Sequence, residues 1–142
     1  MLFGCDAEIA EWVADQIPHV HGSFEPCAAI GIVSNEGALI GGVVYHDYQK
    51  ESSTLQLSMA ATNPMWAKRG NIIGLLDYPF NQLGVYKCWI ATPLTSEHAL
   101  KTFRHIGWKR EAVLAHHFGP KRHAVICRML NPDFMRLYYG KK

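Results

Sequence analysis

The segment from residue 85 to 113 constrains the fold most, because it places a strand, a helix and a second strand in one short run of chain. Residues 85–92 (VYKCWIAT) are mostly apolar, which is typical of a strand covered on both faces of a sheet. Thr95 or Ser96 can cap the helix that follows, and Gly107 predicts where that helix ends. A helix that connects two strands predicts a right-handed crossover and parallel pairing in part of the sheet.

The rest of the chain adds further helices and strands to this unit. Two helices are predicted from apolar residues along one face, with a proline or a glycine at the end: Asp6 to about Ile17, and about Ala67 to Leu83. Alternating or short apolar runs predict strands at 28–33, 38–47, 54–62, 108–118 and 123–130. This order predicts an α/β (α+β) fold in a single domain of residues 1–142, with a mixed, mostly antiparallel sheet around a central parallel pair.

Four residues predict local features of these elements. Asp6 is expected to cap the first helix. Pro79 is expected to kink the second helix, because proline removes one hydrogen bond of the helix. Gly41 and Gly42 lie inside a strand, where they mark a bulge or a close approach by another backbone or a ligand.

Composition and charge exclude several classes of function. The chain has no window of about 18 apolar residues, so we expect no membrane-spanning helix. The first residues lack a basic segment followed by a long apolar core, so no secretory signal is predicted and the cytoplasm is the expected location. The formal net charge of +2 is small and spread along the chain, which argues against nucleic acid as a partner.

The cysteines and histidines show no metal-ligand spacing. The four cysteines contain no C-x-x-C pair and are predicted to be buried thiols of a reducing compartment: Cys5, Cys27, Cys88 and Cys127. The histidines contain no H-x-x-x-H pair, and the candidates are His19 and His21, His46 beside Asp47, and His116 with His117. We therefore expect no metal site.

Three segments match motifs of one superfamily in order and spacing. Residues 37–47 (GALIGGVVYHD) resemble a strand region that commonly reads g-x-l-i-G. Residues 96–113 (SEHALKTFRHIGWKREAV) resemble an N-x-x-A-x-x-x-Y-x-x-x-G-F-x-x-E segment, matched at Ala99, Gly107, Trp108 and Glu111. Residues 75–92 (LLDYPFNQLGVYKCWIAT) resemble a subset met in phage and prophage genomes. Over essentially its whole length the chain thus resembles the Gcn5-related N-acetyltransferase superfamily.

The resemblance implies an enzyme that transfers an acetyl group from acetyl-CoA directly to an amine. It implies that the strands at 54–62 and 85–92 diverge at one end, so that free backbone groups can pair with the pantetheine amides of the cofactor. It places the pyrophosphate at the N-terminus of the next helix, where N–H groups and the helix dipole favour anions. An oxyanion would bind a main-chain N–H near Met59 or Ala60. The implied cofactor-binding residues are Met59, Ala60, Ala61, Ala67, Lys68, Arg69, Gly70, Ser96 and Phe103.

The pyrophosphate loop of the superfamily, [QR]-x-x-G-x-[GA], admits two registers in this chain. In the first, Arg69 and Gly74 are its first and last members and Ile72 takes the place of the middle glycine. In the second, Ala67 is the last member and Met65 takes that place. The sequence leaves both registers open.

The acid and the base of the reaction depart from the superfamily pattern. Phe103 stands where a tyrosine often protonates the departing thiolate, and phenylalanine cannot donate a proton. On the strand where some relatives carry a glutamate, this chain has Gln56 or Ser58, and neither is a base at neutral pH. We therefore expect His46, with Asp47 beside it and acting through water, to take the proton of the amine.

Other candidates for these roles stay open. Either His116 or His117 could face the acceptor instead of His46, and His105 or water could replace the missing tyrosine. Cys88 is not expected to act as a nucleophile, because it lies in an apolar strand without an adjacent base.

The sequence does not identify the acceptor amine. Residues 1–37, including HVHGSF (19–24), and the loop Gly119–Arg122 are expected to contact it. The basic loop would favour an acidic acceptor, although a solvated loop is the simpler interpretation. We expect a monomer or a homodimer. A second hypothesis is a catalytically degenerate member of the fold that binds CoA or a host factor, because the usual tyrosine and glutamate are missing.

Overall fold

One six-stranded sheet organises the chain in the computed structural model, which describes residues 1–17 and 27–140. The helices are α1 (Asp6–Gln16), α2 (Arg69–Asp77), α3 (Glu97–Ile106) and α4 (Asn131–Tyr139). The strands are β1 (Cys27–Val33), β2 (Leu39–Gln49), β3 (Thr54–Ala61), β4 (Lys87–Pro93), β5 (Lys109–Leu114) and β6 (Ala124–Leu130). The order is β1-β2-β3-β4-β6-β5, and neighbouring strands are antiparallel except for β3 and β4. The predicted mixed sheet with a central parallel pair is confirmed.

Side chains alternate along the strands and build a core on each face of the sheet. On β2, Val43 and Tyr45 join the larger core, which also takes residues from α2, α3 and α4. Val44 points to the opposite face and packs with Ile9 and Val13 of α1. The apolar face predicted for the first helix therefore lies against the sheet, where it contacts β1, β2 and β3.

Asp6 fastens α1 to the sheet instead of capping the helix. The helix begins at Asp6 itself, so the capping position falls on Cys5, which makes no side-chain capping hydrogen bond. The carboxylate of Asp6 accepts a hydrogen bond from the backbone N–H of Ala29 in β1, at 3.2 Å. The predicted cap is therefore wrong, because the side chain that would serve the helix serves the neighbouring strand.

Gly41 and Gly42 of β2 let two other elements approach the sheet closely. A Cβ atom at Gly42 would lie 2.9 Å from Cγ2 of Val13, and one at Gly41 would lie 3.0 Å from Cβ of Trp66. The ladder between β1 and β2 also shifts beside Gly41, after its pairing with Ile32. The predicted bulge is therefore present beside Gly41, whereas the close approach at both glycines is made by side chains and not by the backbone or ligand that was predicted.

The second predicted helix is divided where proline interrupts it. A 3₁₀ turn covers Pro64–Ala67, α2 follows, and a π-helical turn covers Tyr78–Gln82. Pro79 has no N–H group and cannot donate a helix hydrogen bond. The π-helical turn is closed by the N–H of Leu83, which donates to the carbonyl of Tyr78 at 2.9 Å. The glycine that follows ends the segment with a φ of 73°. The predicted stop is confirmed, and the predicted irregularity at Pro79 is present as a change from α-helix to a π-helical turn. α2 starts later than predicted because the 3₁₀ turn precedes it.

The strand predicted over 108–118 ends earlier in the structure. β5 stops at Leu114, and the chain turns between residues 115 and 122. His116 lies in this turn with a φ of 56°, a left-handed conformation outside the β region. His116 and His117 are therefore not strand residues, which corrects the sequence interpretation.

Some expectations fall on residues that the structure does not describe. The helix stop at Pro18 and the segment at 19–24, with His19 and His21, lie outside the described residues. Among those that are described, no helix is long and apolar enough to cross a membrane.

Replacing Gly42 with alanine tests the contact between α1 and the sheet. The added methyl group would overlap Cγ2 of Val13 and crowd Ile9, so we expect G42A to lower the free energy of unfolding by about 1–3 kcal/mol. Chemical denaturation measures the change. Gly70 is the matched control, because a Cβ atom there meets nothing within 4 Å and alanine is the better helix former. Equal stabilities of G42A and G70A would contradict the close packing.

Candidate functional site

β3 and β4 pair over a short stretch and then separate. Within the described residues, their parallel ladder joins Thr54 with Lys87, Leu55 with Cys88, and Gln56 with Trp89. Beyond this point β3 continues along β2 as far as Ala61, and β4 continues along β6 as far as Pro93. The expected divergence of the two strands is therefore present, and it opens a gap in the centre of the sheet.

The gap exposes main-chain groups of β3. The N–H of Thr62 donates to the carbonyl of Ile40 at 2.9 Å, on the side of β2. Peptide groups alternate in direction along a strand, so the N–H groups of Ala61 and Met59 point away from β2 and into the gap. Of the two residues expected to bind an oxyanion, Met59 is thus the one whose N–H faces the opening, whereas that of Ala60 faces β2.

A cleft of about 550 Å³ occupies the gap. Its walls are the separating ends of β3 and β4, one face of α3, the connection after β3 and the C-terminal end of α1. Five of the residues predicted to bind the cofactor line it: Met59, Ala60, Ala61, Ser96 and Phe103. Its described lining contains no Asp, Glu, Lys or Arg side chain, so charges of a bound ligand must be met at the rim or by main-chain groups.

The other four predicted cofactor residues, 67–70, lead from the cleft into α2. They follow Trp66, which lines the cleft. The N–H of Ile72 donates to the carbonyl of Lys68 at 2.9 Å. The N–H groups of residues 69–71 have no partner among the described residues, as is usual in the first turn of a helix. This turn can therefore bind an anion next to the cleft.

The structure distinguishes the two registers of the pyrophosphate loop. Arg69, Ile72 and Gly74 belong to α2, and Ile72 is buried in the core, so the register that begins at Arg69 is excluded. The register that ends at Ala67 covers the connection from β3 to α2. The guanidinium group of Arg69 lies 4.8 Å from the ring centre of Tyr138 and is thus directed to α4, which leaves Lys68 as the cation of this turn without a partner among the described residues.

Ser96 and Phe103 place α3 on the cleft wall. Ser96 takes the capping position, but its side chain makes no capping hydrogen bond, so the predicted hydroxyl cap is wrong. Phe103 is 6% exposed, and its ring lies edge-on to Trp108, with centres 6.5 Å apart. The helix ends at Gly107 as predicted, with a φ of 125°. The position that often supplies a proton in the superfamily is therefore a buried hydrocarbon ring.

His46 reaches the cleft through Ser58. Nε2 of His46 lies 2.9 Å from Oγ of Ser58, and Ser58 lines the cleft. Burial lowers the pKa of His46, and the nearby Asp47 raises it by a smaller amount. A lowered pKa favours the neutral imidazole, which is the form that can accept a proton.

Asp47 lies outside the cleft, at the exposed end of β2. It has a φ of 52°, and its Oδ1 accepts a hydrogen bond from Nε2 of Gln49 at 2.8 Å. Of the two predicted catalytic residues, His46 alone is linked to the cleft wall in the described part of the chain. The charge of Asp47 acts on His46 by raising the pKa of its imidazole.

The alternative histidines and the basic loop are not brought to the cleft. The N–H of His116 donates to Nδ1 of His123 at 2.9 Å, and the N–H of Lys121 donates to Nδ1 of His116 at 2.8 Å. These bonds hold the turn between β5 and β6 together. No residue of this turn, which includes His117 and the loop at 119–122, lines the cleft. The structure therefore does not support an acidic acceptor that is recognised by the basic loop.

Cys88 is unsuited to nucleophilic chemistry, as expected. It is fully buried in β4, and burial strongly raises the pKa of its thiol. A thiol that stays protonated is a poor nucleophile. Over residues 1–17 and 27–140, no group of three or more His, Cys, Asp or Glu side chains could hold a metal ion.

Sequence reasoning missed several cleft residues. Trp66 could have been found, because the glycine opposite it in β2 indicates a close approach. Thr92 is a polar residue near the end of a mostly apolar strand, which is a weak signal of a site. Gln16 and Ile17 line the cleft at the end of α1, and no pattern in the sequence indicates that the end of this helix lies beside β3 and β4.

Comparisons with known proteins identify the fold. No protein-family model matches the sequence, and a search of curated proteins finds no match. Among solved structures, mutant forms of the spermidine/spermine N-acetyltransferase of Vibrio cholerae match 84% of this chain and 74% of their own, with a TM-score of 0.70 and 17% identity. A dodecameric spermidine N-acetyltransferase from Vibrio cholerae matches 83% of this chain and 71% of its own, with a TM-score of 0.69 and 16% identity.

At this level of identity the likeness establishes the fold. The chain has the fold of the Gcn5-related N-acetyltransferases, as the three sequence motifs predict. The narrower likeness to phage and prophage members stays a prediction.

The lowered pKa of His46 predicts sensitivity to acid. A group whose pKa is lower in the folded state binds protons more tightly in the unfolded chain, so protonation favours unfolding. The stability that neutral His46 contributes is fully present above its unfolded-state pKa of 6.5. It is lost as the pH falls through the lower pKa of the folded state. We therefore expect H46Q to lose less stability than the wild-type protein between about pH 7.5 and about pH 5. Urea denaturation at both pH values measures the difference, and identical losses would contradict it.

Proposed function

We propose that the protein is an acetyl-CoA-dependent N-acetyltransferase that transfers the acetyl group directly to a primary amine. The observation that carries this proposal is the gap between β3 and β4, where main-chain groups face a cleft without a partner strand. An extended ligand with two amides, such as pantetheine, can pair there as an added strand does. The N–H of Met59 would then stabilise the negative charge that develops on the acetyl oxygen.

The first turn of α2 is the proposed site for the pyrophosphate. Its N–H groups at residues 69–71 have no partner among the described residues, and the helix dipole favours an anion there. Lys68 is exposed and adds a positive charge. Arg69 contributes its main-chain N–H, because its side chain contacts Tyr138.

The proposed base is His46, which acts through Ser58. The amine of an acceptor has a pKa of about 10 and is protonated in water, so it must lose a proton before it attacks the thioester. Ser58 can accept that proton while it passes its own to Nε2 of His46, at 2.9 Å. The serine hydroxyl thus takes the place of the water expected from the sequence. Asp47 supports the base, since its charge raises the pKa of His46.

The charge of α1 favours a cationic acceptor. The helix carries Asp6, Glu8, Glu11 and Asp15 and no basic residue, and its C-terminal end forms part of the cleft wall. Acidic side chains and the negative end of a helix dipole both attract cations. The structural neighbours are named for spermidine and spermine, so these polyamines are the first acceptors to test.

The second candidate function is a CoA-binding protein without turnover. Phe103 and Gln56 favour it, because they stand where the superfamily often has a tyrosine acid and a glutamate base. Binding of acetyl-CoA without release of CoA to any amine would support it. A monomer or homodimer in the cytoplasm remains the expectation for either function.

Acetyl-CoA should raise the melting temperature, because a ligand that binds only the native state stabilises it. K68A should weaken binding about fivefold, which corresponds to about 1 kcal/mol, and added salt should reduce the difference. Calorimetric titration measures both. The matched control is K50A, since Lys50 is exposed in the turn at the opposite end of β3. An unchanged melting temperature at millimolar acetyl-CoA would refute cofactor binding.

Loss of the proposed relay should slow transfer. Both H46Q and S58A should lower kcat/KM with a polyamine by about 100-fold or more, and H46Q should abolish the acid limb of the pH profile. A thiol reagent that detects free CoA measures the rate. H105Q is the control, because His105 is exposed on α3 and does not line the cleft. Full activity of S58A would show that the proton leaves by another route.

A further inference from the structure

Thr92 is the one buried polar residue in the described part of the chain, with 6% of its surface exposed. Its hydroxyl makes no hydrogen bond to any of the described residues. A buried hydroxyl without a partner destabilises a protein. Thr92 also lines the cleft, so a ligand in the cleft can supply the missing partner.

The register of the sheet places Thr92 opposite the proposed oxyanion site. The ladder joins Thr54 with Lys87 and Gln56 with Trp89, an offset of 33 residues in each case (87 − 54 and 89 − 56). Continued past the point of divergence, the same offset sets Met59 level with Thr92 across the gap. The two residues therefore lie on opposite walls at the same height.

Thr92 and Ser58 point to opposite faces of the sheet. Cys88 and Ile90 belong to the larger core, and Thr92 continues their alternation on the same face as Phe103. Ala60 packs with α1 in the smaller core, and Ser58 precedes it by two residues. An acetyl group bound at Met59 would thus have the Ser58 hydroxyl on one side and the Thr92 hydroxyl on the other.

This arrangement separates the attacking and leaving groups. We infer, on the basis of the proposed function, that the hydroxyl of Thr92 donates a hydrogen bond to the sulfur of CoA as it leaves. The amine attacks from the face of Ser58, where the base lies, and the sulfur departs towards the face of Phe103. Charge that develops on sulfur would otherwise meet a hydrocarbon ring.

The step balances without proton transfer from Thr92. The amine nitrogen forms a bond to the acetyl carbon, and the carbon–sulfur bond breaks with its electron pair on sulfur. The proton of the amine passes to His46 through Ser58. Thr92 keeps its proton and stabilises the thiolate, which is protonated by solvent after release. A threonine hydroxyl is a weak acid, so donation of a hydrogen bond is the role open to it.

The hydroxyls of Ser96 and Thr102, where α3 forms the cleft wall, are less suited to this role. Oγ1 of Thr102 already donates to the carbonyl of His98 at 3.0 Å. Ser96 stands at the start of α3 and is less buried, so water can compete for its hydrogen bonds. Thr92 alone combines burial with an unsatisfied donor among the described lining residues.

Valine at position 92 tests the inference, because it keeps the shape and removes the hydroxyl. T92V should lower the single-turnover rate of CoA release about tenfold or more while the Kd of acetyl-CoA stays unchanged. T92S, which retains the hydroxyl, should recover most of the rate. In the absence of ligand T92V should melt about 2–4 °C higher, since an unpaired buried hydroxyl is gone.

The outcomes separate the inference from the proposed function. A T92V protein with the wild-type single-turnover rate, or one with a raised Kd and an unchanged rate, would overturn the role at sulfur. The second result would assign the hydroxyl to a pantetheine amide instead. A wild-type protein that releases no CoA with any amine would refute the proposed function itself, and the inference with it.

Discussion

The parting of β3 from β4 after three residue pairs is the constraint on which the rest of the structure depends. Main-chain N–H and C=O groups that lack partners inside a protein destabilise it. The gap persists because each strand is held along its other edge, β3 by β2 and β4 by β6. The opening is therefore built into a well-paired sheet, and aligned main-chain groups of β3 face it.

Contacts outside the gap position its walls. The absence of a side chain at Gly42 lets α1 lie close on the sheet, and Gly41 does the same for Trp66, which lines the cleft. Asp6 ties the start of α1 to β1, so the end of that helix is directed to the cleft. Small residues in β2 thus determine where α1 and Trp66 border the cleft.

The chemistry of the site follows from alternation along strands. In the proposed mechanism neighbouring residues of β3 have different roles, with the N–H of Met59 in the gap and the hydroxyl of Ser58 beside His46. The replacement of the usual tyrosine by Phe103 leaves the opposite face apolar, and Thr92 is the buried donor on that face. This arrangement is compatible with a direct transfer in which the amine attacks from one face and the sulfur of CoA leaves towards the other. The buried thiol of Cys88 is not placed to form a covalent intermediate.

The sequence by itself determined the order of the elements from α1 to β6, the central strand at 85–92 and the stop at Gly107, because these depend on residues close together in the chain. Only the tertiary structure decided which side chains meet. Asp6 bonds to Ala29 in β1 and Arg69 contacts Tyr138 in α4, and both partners are distant in sequence. The link from His46 to Ser58 and the opposition of Met59 and Thr92 depend on the register between strands, and register is set by packing across the whole sheet.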